Sequence, residues 1–249
     1  MAHKGGLLRD IYDKYILHLN ERKMDIRYRG EDRWFHSSQS GLCARKHYFH
    51  AIDREEPETP SSDTLRLFRL GDVVHTDIQE SIEWWAKVNG EPIFIEKEII
   101  LDTYGVKGFI DCAFISQDVL YDIKTCGAWK WKSMFGREGK GIAGSENYAL
   151  QIGTYGLWYE EYYNRELKGL RITYYKKDDS SMREVEIDLD YVGQAKEYWT
   201  QVKDALSKGI PPIKLGFAPV YAWECNEKYC GYYDVCGGGI NTIKKVEGD

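Results

Sequence analysis

Apolar residues recur first at helical spacing along this chain, then at strand spacing, then at both in turn. Leu7, Leu8, Ile11, Tyr15 and Leu19 fall on one side of a helix over residues 7–24. Ser37-Ser38-Gln39-Ser40 offers a cap for a second helix over roughly 40–52. Glu55 to Ser62, rich in proline, serine and glutamate, reads as an exposed loop, and a long helix follows from Asp63 to about Val88. The period then falls to two. Strands are expected over 93–100, 106–115 and 118–125, with Ser116-Gln117-Asp118 as a tight connection between the last two. Gly127 to Asn147 is glycine-rich and basic and reads as a mobile loop. Tyr148 to Arg165 returns to a helical pattern; strands near 169–177 and 183–188 precede a helix over 189–208, which Gly209-Ile210-Pro211-Pro212 breaks. No internal repeat, low-complexity tract or clear boundary interrupts the series, so one elaborated domain over 1–249 is expected.

Composition narrows the class. A chain of 249 residues with 43% hydrophobic and 14% aromatic content has ample material for a core, which excludes a disordered chain. No apolar run reaches membrane-spanning length, and Met-Ala-His-Lys-Gly-Gly does not begin a secretory signal, so the expected location is cytoplasmic, with no membrane partner. In that compartment six cysteines are thiols or metal ligands rather than disulfides. A net charge of -6 disfavours a generally adhesive nucleic-acid binder. It leaves room for a site whose centre is acidic until cations fill it and whose grip on a polyanion then needs a local basic track.

The candidate chemistry lies in the strands. Gly108-Phe109-Ile110-Asp111 is followed by Tyr121-Asp122-Ile123-Lys124. A hairpin places Asp111 and Asp122 on neighbouring strands, and alternation puts Asp122 and Lys124 on one face with Ile123 on the other. Two carboxylates and an amine on one patch can hold a divalent cation beside a positioned water. Gly71 and His75 lie four apart on the long helix, and His75 can supply a neutral nitrogen ligand to a cation such as manganese. Gln151 and Tyr155 share a face of a later helix. Each alone has an ordinary explanation: a hydrogen-bonded histidine, a solvated glutamine, a core tyrosine, hairpin charges.

In order, they resemble the PD-(D/E)xK nuclease superfamily in its RecB-like branch. That branch shows Gly-x-x-x-His on a helix, Gly-x-x-Asp on a strand, Asp-x-Lys, then Gln-x-x-x-Tyr on a helix. The match covers roughly residues 40–236 and departs in having no proline before Asp111. The resemblance implies an α/β fold: a central mixed β-sheet flanked by helices, a restriction-endonuclease-like core over approximately 63–208. It implies a metal-dependent DNA nuclease, an exonuclease on single-stranded DNA or duplex ends. Mg2+ or Mn2+ would be held by His75, Asp111, Asp122 and the backbone carbonyl of Ile123. Gln151 and Tyr155 would orient the water or a phosphate oxygen. Lys124 is the family's usual general base, yet a lysine beside two carboxylates stays protonated. A role in positioning the nucleophile and stabilising transition-state charge fits it better.

Cys225, Cys230 and Cys236 form C-x4-C-x5-C, and Cys43 stands far upstream. This resembles the iron–sulfur subfamily of these nucleases, which includes the CRISPR-adaptation nucleases and the nuclease domains of AddB-type helicase–nucleases. It implies a [4Fe-4S] cluster on the four thiolates, joining the chain ends in a subdomain of approximately 37–52 and 209–239. Four residues rather than the family's two separate the first pair, so zinc and unmetallated thiols stay open as alternatives. Cys112 and Cys126 read as small packed side chains.

A basic track is also visible: Arg45 after the first cysteine, Arg66 and Arg69 on the long helix, Trp129-Lys130-Trp131-Lys132, then Arg137 and Lys140. Extended, the latter tetrad would point tryptophans one way for base stacking and lysines the other for phosphates. The competing account makes the tryptophans core and the lysines a solvated face. A second functional reading is a non-catalytic iron–sulfur DNA-binding module within a recombination or CRISPR-adaptation complex. No helicase motif is present, so an unwinding partner would be separate.

Overall fold

The structure, a computed structural model, describes residues 6–24, 34–52, 60–139, 141, 145–212, 224–227 and 230–236. Helix α1 (Leu7–Met24) is followed by the short strand β1 (Phe35–His36), a 3₁₀ turn (Ser37–Gln39), α2 (Ala44–Ile52) and the long α3 (Ser62–Asn89). Then come β2 (Ile93–Leu101), β3 (Val106–Phe114), β4 (Val119–Cys126), α4 (Ala128–Phe135), α5 (Glu146–Tyr163), β5 (Gly169–Lys176), β6 (Met182–Ile187) and α6 (Asp190–Lys208). This is an α/β fold with a central mixed sheet flanked by helices. The order is β1-β3-β4-β5-β6, with β2 also on β3. The β1–β3 and β4–β5 pairs are parallel and the others antiparallel.

Local chemistry explains the ends of α3. The Ser61 side chain accepts a hydrogen bond from the Thr64 amide, and Gly90 closes the last turn with a left-handed φ of 68°. The core lies between the sheet and α5. That helix is buried from Ala149 to Tyr159, and α6 covers it with Tyr198, Trp199 and Val202.

The register of β3 opens the site. β2 pairs along one edge of β3 from Val106 to Phe114, interrupted only at Asp111. The other edge is shared: β1 takes Val106 and Lys107, and β4 takes Cys112, Ala113 and Phe114. Residues 108–111 of that edge therefore carry no ladder partner among the described residues. Asp111 sits at the end of this gap.

Three expectations change. Gly127–Asn147 is not all loop, because α4 occupies Ala128–Phe135. The second helix begins at Ala44, since Ser37–Gln39 form a 3₁₀ turn. The apolar face expected on α1 is not its packed face: Leu7 and Leu8 are exposed, and Ile16 is the buried contact. Most of the Glu55–Ser62 loop lies outside the described residues. No described helix is long and apolar enough to cross a membrane.

Candidate active site

Asp111 and Asp122 meet where β3 and β4 splay apart. Asp111 Oδ2 accepts a hydrogen bond from the Ile123 amide at 2.6 Å, so a side chain replaces the missing ladder contact. Asp122, on the neighbouring strand, is wholly buried. Lys124 Nζ lies 2.7 Å from Asp122 Oδ2, an ion pair approached off the hydrogen-bonding line. The Lys124 ammonium compensates Oδ2, while Oδ1 has no hydrogen-bond partner among the described residues. A buried carboxylate oxygen left so is open to a further cation.

His75 reaches in from α3, with Nδ1 3.8 Å from Asp111 Oδ2. Its neighbour Gly71 packs on β4, where a Cβ would stand 3.1 Å from Thr125 Oγ1; the glycine thus permits the close approach that brings the helix to the strand. From α5, Gln151 Nε2 donates to Tyr155 Oη at 2.7 Å.

Burial sets the charge states. It pushes the Asp111 carboxyl up to about 6, against the pull of Lys124 and the Ile123 amide. It pushes Asp122 up to about 6 as well, again opposed by Lys124. His75 is lowered by burial and then by Lys124, so its imidazole is neutral near pH 7 and able to act as a ligand. Burial lowers Lys124 too, but Asp122 and Asp111 outweigh it and raise the ammonium above its ordinary range. Lys124 is therefore a cation here and a poor base. Tyr155 is raised by burial and stays a neutral phenol.

The donor set suits a hard divalent cation: two carboxylates, one of them with an unsatisfied oxygen, and a neutral imidazole. The donors are adjacent, although no three His, Cys, Asp or Glu side chains among the described residues already surround one point at ligand distance. Asp111 and Asp122 instead engage Ile123 and Lys124.

Sequence reasoning missed four participants. Gln79, one turn beyond His75, donates through Nε2 to Glu96 Oε1 at 2.6 Å and to the Asp111 carbonyl at 3.2 Å. Its spacing of four from His75 was the available signal. Glu96 holds a φ of 47° in the middle of β2, a strained backbone for a non-glycine residue. Nothing in its alternating strand marks it. Tyr148 lies under two ammonium groups, Lys124 at 5.2 Å and Lys130 at 5.9 Å from its ring centre. It stands three residues before Gln151, on the same helix face. Ser37 donates to Tyr155 Oη at 3.2 Å.

The four expected cluster cysteines line one small cavity with Arg45, Lys46, Phe49 and Glu224. Cys43, Cys225, Cys230 and Cys236 are free thiols, and burial raises Cys43 and Cys230. They are not gathered at ligand distance, so the structure contains the pocket but no formed metal-cluster subdomain among the described residues. Glu224 Oε1 accepts from the Cys43 amide at 2.9 Å. Cys112 and Cys126 are buried packing residues, and burial pushes the Cys112 thiol up to about 12.

The basic track is only partly free. Arg45 belongs to the cysteine pocket, donating through Nε to Cys236 Sγ at 3.1 Å and through Nη1 to the Pro212 carbonyl at 2.6 Å. Arg66 is paired with Asp13 of α1 and with Asp63. Arg69 Nη1 lies 4.0 Å from Asp72 Oδ2. Each of these three arginines thus has a partner within the chain. The tetrad at 129–132 is helical, so its residues do not split into two faces of a strand. Trp131 packs on Phe135 at 4.8 Å, while Trp129 is 81% exposed. Lys130 reaches Ser145 and Tyr148. Trp129, Lys132 and Arg137 line a surface cleft of about 580 Å³. Lys140 lies outside the described residues.

No family model matches the chain, and no curated protein does. Among solved structures, the chain is similar to SSO0001 at 17% identity over 94% of this chain and 98% of that one, with a TM-score of 0.48. An alkaline exonuclease from Laribacter hongkongensis is similar at 12% identity over 73% and 92% of the two chains, with a TM-score of 0.46. A phage-related exonuclease from Haemophilus somnus follows at 10% identity over 66% and 79%, with a TM-score of 0.44. Likeness at this level describes the course of the backbone; what the site can do follows from its own residues.

Proposed function

We propose that this chain is a divalent-cation-dependent DNA nuclease of the PD-(D/E)xK kind, in its RecB-like branch, hydrolysing phosphodiester bonds as an exonuclease on single-stranded DNA or duplex ends. The observation that carries the reading is the wholly buried Asp122, whose Oδ1 lacks a hydrogen-bond partner among the described residues while Asp111, His75 and Lys124 converge beside it. Asp111, Asp122, the neutral His75 and the carbonyl of Ile123 would hold Mg2+ or Mn2+. Such an ion neutralises phosphate charge and acidifies water.

The chain's own residues do the rest. The Lys124 ammonium faces the reacting phosphate as a fixed positive charge and stabilises the charge that builds in the transition state. Tyr155 and Gln151 present polar hydrogens for orienting the water or a non-bridging oxygen. Gln79 holds the Asp111 backbone in register. Trp129 supplies a stacking face beside Lys132 and Arg137, chemistry that suits unpaired bases and their phosphates. The four cysteines would hold a [4Fe-4S] cluster that ties the start of α2 to the chain after α6. Four thiols around one cavity are the ligand set that such a cluster takes.

The test is digestion of oligonucleotides labelled at either end, with Mn2+, by the wild type and by Asp122→Ala. Stepwise shortening by the wild type alone supports the proposal. Equal digestion by both would refute it. DNA binding without digestion would favour the non-catalytic module.

A further inference from the structure

Gly108 lies in the part of β3 that has no strand partner on the β1/β4 edge. A Cβ there would come within 1.9 Å of Ser37 Oγ and 3.3 Å of the Tyr155 ring. The glycine therefore keeps a slot open through which Ser37 reaches Tyr155. We infer that Ser37 is a positioning residue for the reaction. It fixes the direction in which the Tyr155 hydroxyl points, and so the hydrogen bond that this hydroxyl gives in the catalytic centre. The inference deepens the nuclease reading and rests on it.

A phenolic oxygen has one hydrogen to donate and two lone pairs to accept with. Gln151 Nε2 fills one lone pair from 2.7 Å, and Ser37 Oγ fills the other from 3.2 Å. The hydroxyl hydrogen must leave in the remaining direction. The charged groups that act on this phenol are Asp122, Lys124 and Asp111. With both donors in place, the O–H is confined to the one direction they leave open. Without Ser37, one lone pair is vacant and the hydroxyl turns about its own bond, losing a fixed aim.

Ser37 is itself held firmly. Phe35 donates its amide to the Gly105 carbonyl at 2.8 Å, which sets the entry of a strap formed by residues 35–42. Ser40 Oγ donates to the Ser37 carbonyl at 2.6 Å and meets Thr154 Oγ1 at 2.9 Å, fixing the strap to α5. Tyr198 Oη donates to the Leu42 carbonyl at 2.9 Å, fixing it to α6. Ser40, Tyr198 and Tyr155 are all buried, so water does not offer a substitute donor.

The test is a double-mutant cycle with Ser37→Ala and Tyr155→Phe, measured by single-turnover cleavage of labelled DNA, with Mn2+ binding followed by electron paramagnetic resonance. Misplacing one catalytic hydrogen bond predicts a loss in kcat of about 10- to 100-fold for Ser37→Ala, with KM and Mn2+ affinity unchanged. In the Tyr155→Phe background the Ser37 change should cost nothing more, because it acts through a hydroxyl already gone. Gly108→Ala, which drives Ser37 out of its slot, should reproduce the Ser37→Ala loss. Wild-type kcat in Ser37→Ala, multiplying losses in the double variant, or loss of Mn2+ binding in Ser37→Ala would each overturn the inference and leave the nuclease reading standing. A wild type that binds Mn2+ yet never cleaves would instead overturn the nuclease reading, and this inference with it.

Discussion

In the carboxylate centre every side chain comes from a core strand or helix: Asp111 from β3, Asp122 and Lys124 from β4, His75 from α3, Gln151 and Tyr155 from α5. In the cysteine pocket only the rim of one helix contributes. Cys43 stands just before α2, and Cys225, Cys230 and Cys236 follow α6 in turns without a regular element. The first region is assembled by the fold. The second brings distant parts of the chain together, and among the described residues its packing is a small cluster of Tyr48, Phe49, Ala205 and Tyr232. A preassembled site binds and releases its ion without loss of fold. A pocket of this second kind couples ligand binding to local folding. The two regions should therefore respond in opposite ways to loss of their ligands.

The largest effect expected is on turnover. Asp122→Ala should lower cleavage by about 10³-fold or more, the scale of losing several kcal/mol of transition-state stabilisation, while the protein stays folded by circular dichroism. Cys236→Ala should do the reverse: iron and sulfide content and melting temperature fall, and Mn2+ affinity holds. If Cys236→Ala abolished Mn2+ binding, the contrast between the regions would collapse.

Next in size is the lysine. Its ammonium is held charged by Asp122 and Asp111, so Lys124→Arg should retain some turnover and Lys124→Met should lose it. Complete loss in both, with a pH profile that follows metal identity, would restore the general-base role. A smaller effect lies at the surface. Trp129→Ala should weaken single-stranded DNA binding by about 1–3 kcal/mol, read by fluorescence anisotropy, without altering Mn2+ affinity.

The smallest expected effect concerns acid stability. Burial holds His47 down to about 4 from the ordinary 6.5. Its unfolded form thus binds the proton more readily, and stability rises with pH between those values and is complete above them. Asp111 and Asp122 act in the opposite sense in the ion-free protein. Their raised values favour the protonated fold, so their contribution is present at low pH and lost as pH climbs through about 6. Replacing both with asparagine removes that opposing slope. Melting curves from pH 4 to 6.5 should then rise more steeply with pH than in the ion-free wild type; identical slopes would contradict these charge states.

Much of the centre was legible because strand periodicity fixes faces. Asp122, Lys124 and the opposing Asp111 needed only a hairpin register, and His75 needed only a helix passing over it. What spacing does not reveal is the partner arriving from another element. Arg66 looked free until Asp13 of α1 met it, and Arg45 until Cys236 did. The tetrad at 129–132 fits a strand as well as a helix, and the helical hydrogen bonds from Trp131 to Gly127 and from Gly136 to Lys132, with the Trp131–Phe135 contact, decide between them. Ser37 read as a cap because its catalytic neighbour lies 118 residues away. Glu96 carries its strain in the backbone, where no side-chain pattern records it.

The central claim is that Asp122 completes a divalent-ion site that cuts DNA. Mn2+ titration of metal-stripped protein, with cleavage measured on the same samples, tests it most directly. The wild type should bind Mn2+ and regain cleavage in parallel, and Asp122→Asn should lose both. Undiminished Mn2+ affinity in Asp122→Asn, or full cleavage by the wild type in excess chelator, would contradict it.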